Sequence, residues 1–289
     1  MHNFIKGQLP APCKKNKIVS TFTKAMTGLG LLMASSLVLS LPISSAVPGG
    51  IINLKIAPAS DKRPTVFYHN QPVAMSQHNG FWYAIVGLSL NSKAGHHEVR
   101  VNGQGIPFTV SHKDYPEQHI TLKSRKHIDL SPKDLKRHQG EKKRAGAVFD
   151  TFDLSQAPDL AFIKPVKGPY SSPFGLKRFF NESPRKPHSG LDIAAPTGTP
   201  IKSPAAGKVV LTGNFFFNGN VVYMDHGQGL ISMFCHLSEI SVAKGDIINK
   251  GQTLGKVGAT GRVTGPHLHW SVSLNNARID PLLLLPPDL

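Results

Sequence analysis

The sequence predicts a mainly β fold, on three observations. Gly (27) and Pro (23) are frequent and spread through the 289 residues, as in chains with many turns. Short β-branched and aromatic runs recur between turn dipeptides such as Asn79-Gly80 and Asn102-Gly103. No region alternates strand-like with helix-like segments, which argues against a parallel doubly wound sheet.

The order of elements follows from composition. Lys14, Lys15, Lys17 and Lys24 precede an uncharged stretch over 25–42, and Ile43-Ser44-Ser45-Ala46 ends in small residues. A basic start, an apolar run and a small-residue exit describe a secretory signal over 1–46, cut after Ala46. A retained membrane anchor is the alternative, although the run is short for a span and broken by Gly28 and Gly30.

Residues 47–122 read as a small β-sandwich-like domain. Val66-Phe67-Tyr68, the run from Phe81 to Val86, and the alternating Val99-Arg100-Val101 supply its strands. Residues 123–160 form a basic linker: nine Lys or Arg face three acids between Lys123 and Arg144. Ser131-Pro132-Lys133-Asp134 predicts the start of a short, solvated helix there, with Ser as cap and Pro in the first turn. Residues 161–289 return to strands, among them Lys208-Val209-Val210-Leu211 and the run from Leu230 to Phe234.

The formal charge is +16, from 33 basic and 17 acidic residues. Such a cation is drawn to nucleic acid, anionic lipid or anionic wall polymers. Export removes nucleic acid from the expected partners and leaves room for transient membrane association through the N-terminal segment. Cys13 leaves with the signal, so Cys235 stands alone and no intramolecular disulfide is expected. His236 is adjacent, but neighbours in a strand point to opposite faces, so Cys235 reads as a buried structural residue.

Fourteen His is many for this length. His96, His97, His112, His119, His127 and His138 have no acidic or His partner at a useful spacing and read as structural or solvated. Three clusters differ. In His188-Ser189-Gly190-Leu191-Asp192, an extended chain puts residues 188, 190 and 192 on one face, with Gly190 leaving room for an ion. In His267-Leu268-His269 two imidazoles again share a strand face. The third, Phe234-Cys235-His236, ends an apolar strand, where a lone His would ordinarily be a core residue. Together they exceed the three protein ligands of a catalytic zinc site and leave His residues over for proton transfer.

These clusters lie in a longer stretch that resembles the M23, or LytM/lysostaphin-type, peptidases. The resemblance covers residues 162–281. It runs through Arg178-Phe179-Phe180-Asn181, Pro187-His188-Ser189-Gly190-Leu191-Asp192, Ala206-Gly207-Lys208-Val209 and Asp225-His226-Gly227. It continues through His236-Leu237-Ser238, Gly258-Ala259-Thr260-Gly261, Gly265-Pro266-His267-Leu268-His269-Trp270 and Asp280-Pro281. The upstream part, from Val47-Pro48-Gly49-Gly50 to Gly87, resembles the β-rich N-terminal domain of some Gram-negative members.

The resemblance implies an antiparallel β-sheet peptidase domain of LytM type. It implies one Zn2+ ion held by His188, Asp192 and His269, with His236 and His267 as catalytic histidines whose duties stay undivided. Asn181 matches a position that reaches the metal in some latent members, and His226 is assigned to a hairpin turn without a chemical role. The implied activity is a periplasmic zinc endopeptidase. It would hydrolyse peptidoglycan cross-links, D-Ala–diaminopimelate bonds in a Gram-negative member, by metal-activated water. The competing expectations are a non-catalytic or latent LytM module regulating a cell-wall amidase, and a peptidase with a substrate outside the wall.

Overall fold

The computed structural model describes residues 40–121 and 130–287. Most of the expected signal, Cys13, and the start of the basic linker with His127 lie outside the described residues. Among those described, no helix is long and apolar enough to cross a membrane. Residues 38–289 form one compact unit.

The N-terminal part is built from β1 (Ile51–Pro58), β2 (Val66–Tyr68), β3 (Gln71–Pro72), β4 (Ala74–His78), β5 (Phe81–Gly87), β6 (Gly95–Val101) and β7 (Gln104–Val110). One sheet has the order β1-β5-β4 and a second β3-β2-β6-β7. They enclose a core of Val66, Tyr68, Met75, Ala84, Val86, Val99 and Phe108. The other face of the first sheet carries Ile51, Ala74 and Ile85, which join the main core of the peptidase part. Its two surfaces are therefore both covered by protein.

A strand β8 (Glu117–Ile120) leads to helix α1 (Pro132–Phe149). The predicted cap is present: Ser131 Oγ accepts from the Asp134 N–H at 3.1 Å, and Pro132 opens the helix. The helix runs 18 residues, longer than the short element expected, and it is packed where a solvated linker was anticipated. Val148 and Phe149 close over Val221, Tyr223, Ile231, Met233 and Cys235. The sequence obscures this because few apolar residues carry the contact, and a carboxylate does the rest. Glu141 is buried and accepts from Arg137 Nε at 2.8 Å and from the Phe216 N–H at 2.9 Å.

The rest of the chain supplies β9 (Tyr170–Ser172), β10 (Lys177–Phe180), β11 (Ser183–Pro184), β12 (Leu191–Ala194), β13 (Pro200–Lys202), β14 (Gly207–Phe215) and β15 (Gly219–Asp225). It continues through β16 (Ile231–Leu237), β17 (Glu239–Ile240), β18 (Ile247–Ile248), β19 (Thr253–Lys256), β20 (His267–Leu274) and β21 (Ala277–Ile279). The main sheet has the order β18-β14-β15-β16-β20-β12-β9, with β21 paired to β20, and its strand pairs are antiparallel. Strand alternation divides β20 between two environments. Leu268, Trp270, Val272 and Leu274 enter the main core, so His267, His269, Ser271 and Ser273 belong to the opposite face. Cys235, opposite His269 in the register, shares that face, and so does the α1 contact.

The folded body begins ahead of the expected cut after Ala46. The Ile43 N–H donates to Leu283 O at 2.8 Å, and the Ser111 N–H donates to Ala46 O at 2.7 Å. Asn53 Nδ2 donates to Pro42 O at 2.8 Å, and Leu41 packs against the main core.

Candidate metal centre

Register brings the first and second His clusters together. Asp192 on β12 lies directly opposite His269 on β20, with Ala194 opposite His267. Their side chains, with that of His188, converge: His188 Nε2 to His269 Nδ1 is 3.0 Å, His188 Nε2 to Asp192 Oδ1 3.0 Å, and His269 Nδ1 to Asp192 Oδ1 2.8 Å. Tetrahedral zinc with ligand bonds near 2.0–2.1 Å sets its ligands about 3.3 Å apart. The triangle is only slightly tighter than that, so the donor set and its spacing fit a zinc ion.

The far nitrogens of both rings are tethered, which fixes each tautomer. His188 Nδ1 bonds Pro173 O at 2.8 Å. His269 Nε2 faces Ser271 Oγ at 3.0 Å, and that hydroxyl donates to Ser189 O at 2.8 Å. The lone pairs of His188 Nε2 and His269 Nδ1 are thereby turned toward Asp192.

Gly190 has a different use from the one its spacing suggested. A Cβ there would meet His269 Cε1 at 2.6 Å and Ser271 Oγ at 2.6 Å, so the missing side chain makes room for the His269 ring itself.

The remaining two imidazoles stand beside this triangle. His267 Nε2 is 3.9 Å from Asp192 Oδ1, and its Nδ1 bonds Gly265 O at 2.9 Å. His236 and His267 rings are 4.9 Å apart, centroid to centroid. Simple strand alternation would turn His236 to the face opposite Cys235. A left-handed backbone at His236 (φ 67°) breaks the alternation and brings its ring 6.0 Å from that of His269. His tolerates this region better than most side chains. Thr260 O then holds His236 Nδ1 at 2.9 Å. Gly258 makes the approach possible, since a Cβ there would lie 2.3 Å from Ser238 N.

Electrostatics follow from burial and from these partners. Burial alone would raise the Asp192 carboxyl, but hydrogen bonds and charge from His188 and His269 outweigh it, holding the group well below the usual carboxylate range. Burial lowers His269, and the attraction of Asp192 only partly offsets this. Burial, reinforced by His269, pushes His236 down to about 4 despite the bond to Thr260 O. At neutral pH the site thus offers one carboxylate and an uncharged His236 able to accept a proton.

All five singled-out residues meet in one place. Cys235 is fully buried, with its thiol pushed up to about 12 by burial. His226 is buried between Ala206 O and Ser232 Oγ, away from the metal candidates. Asn181 sits in the β10–β11 turn, where its N–H donates to Ile120 O. His112 and His119 have acidic partners after all, Asp114 at 2.9 Å and Glu182 at 3.1 Å. Sequence reasoning gave no role to Ser271, Thr260 or Arg178. Of these Ser271 was accessible, two residues beyond His269 on the same strand face.

Residues 186–281 match peptidase family M23, and residues 44–113 match the peptidase family M23 N-terminal domain. The peptidoglycan DD-endopeptidase ShyA of Vibrio cholerae is 40% identical over 113 residues, covering 39% of this chain and 26% of that protein. The DD-carboxypeptidase/endopeptidase Mpg of Neisseria meningitidis is 38% identical over 117 residues, covering 40% of this chain and 27% of that protein. The chain thus spans about a quarter of the length of these curated relatives. A crystal structure from Pseudomonas aeruginosa assigned to peptidase M23 is 43% identical, with a TM-score of 0.69, covering 86% of this chain and 96% of that one. Matched over nearly the whole of that structure, and with the five convergent side chains inside the matched segment, the chain belongs to peptidase family M23.

Proposed function

We propose that this protein is a zinc-dependent endopeptidase that hydrolyses peptide cross-links of peptidoglycan, at D-Ala–diaminopimelate bonds, in the periplasm. The observation that carries the reading is the triangle of His188 Nε2, Asp192 Oδ1 and His269 Nδ1, each pair within 3.0 Å. The DD-endopeptidase names of the relatives support the substrate class. The same reading divides the chain into an export signal, a β-rich N-terminal domain, a basic helical segment and the peptidase domain.

His188, Asp192 and His269 would hold one Zn2+ ion. Zinc so held supplies a Lewis acid and a water acidic enough to attack a carbonyl near neutral pH. Asp192 is the single carboxylate of the set, so a divalent cation leaves the site with a net positive charge that favours an anionic transition state. His236 and His267 each present Nε2 toward the centre, because each Nδ1 is committed to a backbone carbonyl. With zinc bound, one of the two would accept a proton from the nucleophilic water and the other would supply one to the leaving amine.

Purified peptidoglycan digested with the full chain is the test. Loss of cross-linked dimers that stops on chelation and is absent in His269→Ala is the expected result. Its products name the bond. Intact dimers in the presence of stoichiometrically bound zinc would overturn the reading in favour of a module that regulates a wall amidase.

A further inference from the structure

A cavity of about 440 Å³ opens between the N-terminal part and the segment that follows α1. Its size falls within the range of small-ligand sites, about 300–1,000 Å³. It is separate from the metal centre. Gln228 in its wall belongs to the turn between β15 and β16, whereas His236 lies near the far end of β16. About 17 Å of extended strand runs between them.

The walls combine apolar surface with one cation. Met75 and Trp82 come from β4 and β5, and Leu154 and Pro158 from the segment after α1. Leu154 is 60% exposed and marks the mouth. The Trp82 indole is held in place by donating to Asp61 O at 3.1 Å. Arg63 supplies the charge. Its Nη2 donates to Gln228 Oε1 at 2.7 Å, an acceptor shared with the Met75 N–H at 2.8 Å. Among the described residues that neutral oxygen is its one side-chain partner, and burial lowers its pKa with no acid offsetting it. Asp61, the carboxylate nearest in sequence, accepts from Ser60 Oγ instead. Most of the guanidinium's N–H donors are therefore unused. Ser76 adds a hydroxyl to the same wall, buried and without a hydrogen-bond partner among the described residues.

We propose that this cavity binds the C-terminal carboxylate of a peptide ending in a small apolar residue. Arg63 takes the carboxylate, and Met75, Trp82, Leu154 and Pro158 take the apolar part. A guanidinium suits the task because its fork can offer a carboxylate two parallel donors, and such charge-assisted bonds are roughly twice as strong as neutral ones. The site goes beyond the peptidase reading and stands without it. Under that reading, however, each cut leaves an acyl product ending in a D-Ala carboxylate. A wall already being cut would then present the ligand, and the cavity would hold the enzyme to a second stem peptide.

The test titrates the full-length, zinc-loaded chain with N-acetyl-D-alanine and with N-acetyl-D-alaninamide, which lacks the carboxylate. Tryptophan fluorescence reads occupancy: of the two Trp residues, Trp82 lines the cavity and Trp270 is fully buried in the main core. The acid should bind at least about tenfold tighter than the amide. Arg63→Gln should remove that preference and Arg63→Lys should keep part of it, with Tm showing that each variant is folded. Leu154→Glu, at an exposed position, sets a negative charge at the mouth and should weaken the acid while sparing the amide. This variant decides the matter where Arg63→Gln does not fold. Equal binding of the two probes, or no response to either, would overturn the proposal. So would a folded Arg63→Gln chain that keeps the parent's preference, because the acid would then sit elsewhere, the metal included. A Leu154→Glu chain that binds the acid as the parent does would also overturn it.

Discussion

At the scale of single residues, the molecule separates histidines that converge on the candidate metal centre from histidines that hold the fold. His226 is the clearest of the second kind: fully buried, with both ring nitrogens satisfied by Ala206 O and Ser232 Oγ. Burial pushes its pKa down to about 4, against about 6.5 in an unfolded chain. Below pH 6.5 the unfolded chain therefore binds a proton that the folded one refuses. The stability involved is fully present above pH 6.5 and is lost as pH falls toward 4, by up to about 3 kcal/mol. His226→Gln should flatten the decline of Tm between pH 6.5 and 4 relative to the parent, both measured with chelator present. An unchanged slope would assign the acid sensitivity to other groups. The residues of the candidate centre were legible to different degrees. His267 and His269 follow from a period of two along β20, whereas His188 lies ahead of β12 and meets Asp192 as an i, i+4 pair. His236 depends on a left-handed backbone that strand alternation does not foresee, so only the family resemblance placed it. Thr260 and Arg178 meet their partners across 24 and 14 positions of sequence respectively, a distance that local pattern does not read.

Elements were read well where an apolar period marks them and less well where a polar group makes the contact. The strand runs around Phe81 and Leu230 were visible as β-branched and aromatic stretches, and each is a strand. Helix α1 was visible at its start, through Ser131 and Pro132, and hidden along its body. Gly140 and Gly146 weaken it by about 1 kcal/mol each relative to Ala, and most of its exposed side chains are basic. Its attachment depends on Glu141, whose two oxygens take Arg137 Nε and the Phe216 N–H. The two bonds are unequal. Arg137 is 45% exposed and can return to water, whereas the carboxylate is 4% exposed and its bond to the Phe216 amide is part-buried. Glu141→Ala should therefore cost about 2 kcal/mol and lower Tm by roughly 4–8 °C. Arg137→Ala should cost under about 1 kcal/mol. Equal losses in the two variants would mean that the ion pair, and not the amide, holds the helix.

At the scale of the whole molecule, the N-terminal part is joined to the peptidase sheet through shared core and through side-chain amides. Ile51, Ala74 and Ile85 lie in the same core as Leu230, Leu274 and Ile279. Asn275 both donates to and accepts from the backbone of Gly87, at 3.0 and 2.7 Å, and Gln228 Oε1 accepts from the Met75 N–H at 2.8 Å. The segment before β1 is drawn into this junction, which bears on where the folded chain must start. Beginning at residue 47 removes the partners of Leu283 O, of Asn53 Nδ2 and of the Ser111 N–H, along with the packing of Leu41. At about 1 kcal/mol for each bond, plus the lost apolar burial, the cost is about 4 kcal/mol, or roughly 10 °C in Tm. Thermal unfolding of chains beginning at 40 and at 47 measures this directly. A difference near that size would place the start of the folded body ahead of Leu41, so that a signal ending at Ala46 would cut into the fold. Equal Tm values would show that residues 40–46 ride on the surface without holding it, and the boundary after Ala46 would stand.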